Sequence, residues 1–235
     1  MNSTVILKGN ILYTPRPSEF ISIQHGYIIA VDGIVVYCGE SIPPAYADCE
    51  VTDYGDNLII PGFVDTHAHA PQYCNRGLGM DKELLPWLET YTFPEEAKFS
   101  DLDYARLVYG AFVQDLWRNG TTRSILFGTI HKESTLVLME LLQKTGLSAY
   151  VGKVNMDRNS PDFLIEETSQ SLADTKEWLE ASASFGPLVK PIITPRFVPS
   201  CTSELMDGLG TLSEEYNVPI QSHLSENHGE IDWVA

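Results

Sequence analysis

Two histidines separated by one residue, His67 and His69, are the side chains of this sequence best suited to chemistry. They follow an apolar run, residues 58–64, whose branched side chains predict a strand buried on both faces. Residues two apart on a strand point to the same side, so both imidazoles can face one point. Paired imidazoles suit a borderline metal such as zinc, and Asp65 offers a carboxylate to orient one of them. The alternative is that both are ordinary polar residues where a strand meets a loop.

A later histidine extends this pair into a candidate metal site. His223 lies near the end of another apolar run, residues 218–224, and Glu226 follows three residues later. Barrel enzymes place active-site residues at the carboxyl ends of strands, although a lone histidine there more often forms a surface hydrogen bond. Beside a metal-activated water, a carboxylate can accept a proton and pass it to a substrate. We therefore predict one Zn²⁺ held by His67, His69 and His223, with Glu226 as the catalytic residue.

Candidate substrate-binding residues occupy two other places. Arg196 and Phe197 end a predicted strand, residues 188–197. A guanidinium offers a fork of donors for an oxygen, and an aromatic ring offers a face for stacking, which together suit a flat ring bearing a carbonyl. The alternative for Arg196 is a salt bridge at the rim with one of the many carboxylates. Gln72 carries donor and acceptor atoms and is a second candidate for reading such a ring.

The elements that must position these side chains alternate between helix and strand. Helical spacing is predicted for residues 100–119, with Ser100 as the cap, and for residues 134–144, 161–184 and 203–216. Strands are predicted for residues 121–127, 148–155, 188–197 and 218–224. Parallel strands with right-handed helical crossovers are the expected arrangement. The aromatic segment 84–93 predicts either a lid over the site or a cover for the flank of the sheet.

The first 57 residues have a different pattern. Short β runs are broken by turn residues, and Asp32-Gly33 between two apolar runs is a strong hairpin signal. Residues 1–57 are therefore predicted to form a small antiparallel β domain, and residues 58–235 the alternating α/β domain.

Several motifs together resemble a known family. Pro-Gly-Phe-Val-Asp-Thr-His-Ala-His (61–69) resembles the first-strand signature of the amidohydrolase superfamily. Within it, the segments around Gln72, Trp87, Arg196 and His223 resemble guanine deaminases: His-Ala-Pro-Gln, Leu-Pro-Trp-Leu, Thr-Pro-Arg-Phe and Gln-Ser-His-Leu-Ser-Glu-Asn. The resemblance implies zinc on His67, His69 and His223, proton shuttling by Glu226, and purine binding by His69, Gln72, Arg196, Phe197 and His223.

The same resemblance implies a fold and an activity. The expected fold is a partial (β/α)₈ TIM-like barrel of about five units, because a complete barrel needs eight units and about 250 residues. An additional histidine ligand, an aspartate ligand and a returning sheet segment are expected beyond an N-terminal portion. The implied activity is hydrolytic deamination of guanine to xanthine and ammonia by a homodimer. The alternatives are a complete five-stranded open sheet, another amidohydrolase acting on a different amino-heterocycle or cyclic amide, or a non-catalytic fragment.

The amino-acid composition limits the classes of binding partner that this protein is expected to have. The formal charge of −17 and a pI near 4.6 argue against nucleic-acid backbones and anionic membranes, since like charges repel, and allow a small neutral substrate. We find neither a signal-peptide pattern nor an apolar run of membrane-spanning length. The four cysteines are scattered without a paired framework, which predicts free thiols in the cytoplasm.

Overall fold

The computed structural model describes residues 3–234, which form two compact units divided between Gly62 and Phe63. The first unit is a four-stranded sheet in the order β3-β2-β1-β4. Its strands are β1 (Thr4–Arg16), β2 (Glu19–Val31), β3 (Ile34–Gly39) and β4 (Val51–Ile59). The β2-β3 hairpin turns at Asp32 and Gly33, whose φ angles of 51° and 80° are the left-handed values that such tight turns require.

The fourth strand corrects two expectations about this unit. β4 pairs with β1 in parallel, so the sheet is mixed rather than purely antiparallel. It also continues to Ile59, and the predicted single strand over residues 58–64 is wrong. Pro61 lacks a backbone donor and Gly62 is flexible, so the chain leaves one sheet there and enters another at Phe63. The division between the units accordingly falls five residues after the predicted position at residue 57, because β4 belongs to the first sheet.

The second unit is a mixed α/β structure with a parallel sheet, as predicted. The sheet order is β5-β6-β7-β9, and β8 and β10 form a separate parallel pair. These strands are β5 (Phe63–His69), β6 (Thr121–Phe127), β7 (Ser148–Gly152), β8 (Val154–Asn155), β9 (Val189–Pro191) and β10 (Thr194–Pro195). The helices are α1 (Leu84–Trp87), α2 (Phe93–Glu96), α3 (Leu102–Arg118), α4 (Lys132–Thr145), α5 (Thr168–Ser182), α6 (Ser203–Tyr216) and α7 (His228–Val234).

Three predicted strands are shorter or more interrupted than expected. Residues 148–155 and 188–197 each divide into two short strands, and residues 218–224 contribute two isolated parallel bridges, Ile193 with Ile220 and Phe197 with His223. Pro191, Pro195 and Pro219 lack N–H groups, and each removes a donor from the ladder. The bridges still carry His223 alongside the strand that ends at Pro195.

Two helix starts also differ from the sequence expectation. Asp101, not Ser100, caps α3, because its Oδ1 accepts from the backbone N of Asp103 at 2.9 Å. α5 begins at Thr168 rather than at residue 161, and Glu167 caps it by accepting from the N of Gln170. Within the described residues, no helix combines the length and apolar character needed to cross a membrane.

The core of the second unit lies between its helices and the parallel sheet. Its members include fully buried side chains of α3, α4, β6 and α5, namely Tyr109, Leu138, Leu126 and Trp178. Each large apolar side chain buried in this way contributes about 1.5–3 kcal/mol to folding. This packing fixes the strands whose carboxyl ends bear the candidate site.

Candidate metal and substrate site

Three imidazoles meet where the parallel strands end. His67 and His69 are at the carboxyl end of β5, and His223 is bridged to Phe197 just beyond β10. One ring nitrogen from each lies within 4.8 Å of the others, and Nε2 of His69 is 2.9 Å from Nε2 of His223. The structure thus brings together the three histidines that the sequence predicts as metal ligands.

Hydrogen bonding and burial act on two of these imidazoles, His69 and His223. Nδ1 of His223 lies 2.7 Å from the carbonyl oxygen of Arg196, to which it donates when that nitrogen carries the proton, leaving the Nε2 lone pair facing the cluster. Burial lowers the pKa of His69 well below its usual value, and the Arg196 charge acts in the same direction. Burial also lowers the pKa of His223. Imidazole nitrogens that converge on one point are donors suited to a borderline dication such as zinc.

The Asp65 carboxylate has a different role from the one expected. Its Oδ1 accepts from the backbone N–H of His67 at 3.1 Å. Asp65 therefore fixes the main chain leading into the histidine pair, whereas the sequence interpretation had it orient an imidazole ring.

Phe127, the last residue of β6, is an aromatic floor that the sequence analysis missed. Its ring is stacked on His69 with centroids 4.5 Å apart, and it lies 4.5 Å from His223 and 5.1 Å from His67. Its place at the carboxyl end of a predicted strand was the available signal, but an apolar ring in that position is read as core. The floor limits the orientations that the imidazoles can adopt.

A cavity of about 310 Å³ opens beside the histidines, a size within the range of small-molecule sites. Its polar lining includes all the predicted site residues: His67, His69, Gln72, Arg196, His223 and Glu226, with the ring of Phe197. Leu84, Trp87 and Leu88 supply an apolar wall, so part of the predicted aromatic segment does cover the site. A neighbouring cavity of about 570 Å³ shares His69, Gln72, Trp87 and Glu226 with it.

Helix α2 contacts the Arg196 guanidinium on the side away from the cavity. Its Nη1 donates to Oε2 of Glu96 at 2.7 Å, and its Cζ lies 5.1 Å from the centre of the Phe93 ring. Both charged side chains are almost fully buried. Arg196 thus forms a buried ion pair and also lines the cavity, so the rim salt bridge considered as an alternative is not what the structure shows.

Glu226 is carried by a short loop that Glu230 organises. The Glu230 carboxylate accepts from the backbone N–H of Ser225 at 3.0 Å and of Glu226 at 2.7 Å. Asn227 Oδ1 accepts from the N–H of Glu230 at 2.7 Å, a side-chain cap of the kind found at helix starts. Glu230 was not recognised as a site residue, although the Asn-x-x-Glu spacing is the sequence signal for such a cap.

Lys153 is fully buried but lies outside the cavity lining. Its Nζ donates to Oε1 of Glu166 at 2.6 Å and to the carbonyl of Val154 at 3.2 Å. This buried ion pair joins the gap between β7 and β8 to the segment before α5.

Comparisons with known proteins match this chain to one group. The family model described as "Amidohydrolase family" matches residues 58–235. Guanine deaminase of Dictyostelium discoideum is 55% identical over 185 residues, 78% of this chain and 41% of that protein. Guanine deaminase of Escherichia coli is 40% identical over 230 residues, 93% of this chain and 51% of that protein.

A solved structure gives the same result. The crystal structure of guanine deaminase from C. acetobutylicum with bound guanine in the active site superposes with a TM-score of 0.96 and 52% identity. The match covers 99% of this chain and 55% of that one. The chain therefore spans about half the length of the relatives it matches.

Proposed function

This chain belongs to the amidohydrolase family, and we propose that the protein in which it occurs hydrolyses guanine to xanthine and ammonia at the cavity beside His67, His69 and His223. The observation that carries the proposal is the convergence of these histidines with Gln72 and Arg196 on one cavity. The identity to guanine deaminases over most of the chain supports the choice of substrate. The parallel sheet is proposed to be one arc of a (β/α)₈ barrel, with the small mixed sheet as a separate β domain.

The three histidines are proposed to hold one Zn²⁺. Zinc bound there would act as a Lewis acid and lower the pKa of a water molecule towards neutrality. The part contributed by this chain is the orientation of the ligands: Phe127 packs against all three rings, and the Arg196 carbonyl fixes the tautomer of His223.

The substrate would be positioned by the remaining lining residues. The Arg196 guanidinium donates to the ring carbonyl oxygen, Gln72 pairs with ring donors and acceptors, and Phe197 offers an aromatic surface. His69 and His223, which also line the cavity, contact the ring on the metal side. Trp87 and its apolar neighbours keep bulk water from the reacting carbon, which strengthens the polar contacts inside.

Glu226 is proposed to move the protons. The oxygen of water forms a bond to the ring carbon that bears the amine, the π bond from that carbon opens onto the neighbouring ring nitrogen, and Glu226 accepts the proton that the water loses. Glu226 then delivers that proton to the amine nitrogen, the ring C=N bond re-forms as the bond to the amine breaks, and ammonia leaves with xanthine as the other product. Glu226 is exposed, and its loop is fixed by the hydrogen bond from its backbone N–H to Glu230. Its carboxylate can therefore reach first the water and then the amine.

Ammonia release from guanine by Glu226→Gln in the whole protein tests this proposal. General acid–base catalysis supplies about 10²–10⁴ in rate, so we expect a loss of that size with zinc content unchanged. Glu204→Gln, the same change at an exposed position in the first turn of α6, is the matched control and should keep full activity. Activity of Glu226→Gln within tenfold of the parent would reject the assigned role.

A substrate panel separates guanine from other amino-heterocycles. A site that pairs a buried polar group with a substrate oxygen rejects an analogue without that oxygen by about 10⁴–10⁵. Adenine lacks the ring carbonyl and should be a very poor substrate. If adenine, cytosine or a hydantoin-like cyclic amide is turned over faster than guanine, guanine is not the preferred substrate.

A cytoplasmic location, consistent with the four free cysteines, and a homodimeric assembly remain predictions.

A further inference from the structure

Helix α2 contacts the guanidinium of Arg196 through two side chains on one face. Phe93 and Glu96 are three residues apart, which places them on the same side of a helix. The Phe93 ring lies 5.1 Å from Cζ of Arg196, within cation–π distance, and Oε2 of Glu96 accepts from Nη1 at 2.7 Å. Only 1% of the Glu96 side chain and 3% of the Arg196 side chain are exposed.

Glu96 stands behind the cavity rather than in it. Among the described residues that line the cavity, Arg196 is present and Glu96 is absent. A guanidinium has five N–H donors, and the contact at Nη1 leaves others free for a substrate oxygen. Any effect of Glu96 on substrate must therefore pass through Arg196.

The charge of Glu96 has a second consequence. The Arg196 guanidinium lines the same cavity as the three histidines, so it and a metal dication bound by them would repel each other. A buried carboxylate beside the guanidinium offsets this repulsion. It also fixes a side chain with several rotatable bonds before substrate arrives, which reduces the ordering cost of binding.

We propose that Glu96 is a positioning residue that holds the Arg196 guanidinium towards the carbonyl oxygen of a purine-like substrate. The inference rests on the proposed function, since it concerns substrate binding at the same site. It predicts an effect on substrate affinity that a pair serving only to stabilise the fold would not produce.

The first test is Glu96→Gln in the whole protein, with guanine as the substrate. The amide keeps an acceptor but removes the charge, so the guanine KM should rise about tenfold and kcat/KM should fall roughly 10–100-fold, with kcat changing less. Zinc content should match the parent. The matched control is Glu95→Gln, the adjacent carboxylate, which accepts from Lys98 at 2.6 Å and contacts Tyr104 instead of Arg196. Glu95→Gln should leave KM unchanged.

A double-variant cycle tests whether the effect passes through Arg196. Arg196→Met should lower kcat/KM by about 10² and lower Tm, because the Glu96 carboxylate stays buried without its partner. Adding Glu96→Gln to Arg196→Met should cause no further loss of kcat/KM and should restore part of the Tm. An equal loss from Glu96→Gln in both backgrounds would overturn the proposal.

The outcomes distinguish this inference from the function on which it rests. A parent protein that releases no ammonia from guanine contradicts the proposed function, and the inference with it. An active parent whose Glu96→Gln variant keeps its KM within twofold, whether or not Tm falls, overturns the inference alone.

Discussion

The histidines and the residues proposed to face the substrate are held in different ways. On the metal side, defined by His67, His69 and His223, the side chains project from strand ends or from a backbone bridge. The Phe127 ring packs against all three imidazoles, the Arg196 carbonyl orients the ring of His223, and the Asp65 carboxylate fixes the main chain at His67. The positions of the histidines therefore follow from the sheet itself.

On the substrate side, defined by Arg196 and Glu226, buried carboxylates provide the support. Glu96 holds the Arg196 side chain, and Glu230 holds the loop that carries Glu226. Both supporting elements are short, since α2 has four residues and α7 has seven. A sheet is held by many backbone hydrogen bonds, whereas the hydrogen bonds of each of these two supports come from a single carboxylate. Variants on the two sides should therefore fail in different ways.

The largest effect is expected from His69→Asn on the metal side. The variant leaves two of the three imidazoles, and loss of the metal removes several kcal/mol of transition-state stabilisation, about 10³-fold or more in rate. Elemental analysis after dialysis measures the zinc content, and an assay of guanine turnover measures the rate. His25→Asn in β2 is the matched control and should retain one zinc per chain. A His69→Asn protein with full zinc would show that His69 is not a ligand.

A smaller effect is expected from Glu230→Gln on the substrate side. The carboxylate accepts two backbone N–H bonds, while an amide offers one acceptor oxygen and places N–H donors against donors. Losing a charge-assisted bond worth about 1.5–3 kcal/mol should lower kcat roughly tenfold or more, with zinc retained. Hydrogen exchange should show faster exchange at the Ser225 and Glu226 amides. A kcat within twofold of the parent would mean that the loop does not need this support.

The smallest effect is expected from Phe127→Leu beneath the metal side. Aromatic pairs of this kind contribute about 0.5–1.5 kcal/mol beyond their buried area, so zinc affinity should fall about two- to tenfold. Phe99→Leu, in the core with its ring tilted against that of Tyr109, is the control: it should lower Tm without changing zinc affinity. Equal zinc affinities for the two variants would show that Phe127 contributes only to packing and not to the orientation of the histidines.

The residues that line the cavity could be predicted from the sequence, but the residues that support them could not all be predicted. His67, His69 and Arg196 stand at strand ends, where residue type and position together predict a role. Glu96 gave no such signal, because it is one of 32 acidic residues and its partner lies 100 residues away. Only the folded chain shows which carboxylate is buried against a guanidinium.

The fold was predictable wherever local periodicity decides structure. Residues 203–216 form the predicted helix α6, with Thr202 as its cap. β4 was missed because residues 51–59 contain charged and turn-favouring residues, and their strand conformation depends on pairing with β1. The interruptions within residues 188–197 and 218–224 coincide with prolines visible in the sequence, although the periodicity alone favoured longer strands.

Arg196 contributes to the cavity through both its main chain and its side chain, and this has a consequence for protein engineering. Its carbonyl oxygen accepts from the backbone N–H of His223 at 3.1 Å and contacts that residue's ring at 2.7 Å, while its side chain faces the cavity. The carbonyl belongs to any residue placed at position 196. A combinatorial library that varies positions 196 and 96 together can therefore search for new substrate preferences while the geometry of the neighbouring imidazole is inherited by every member.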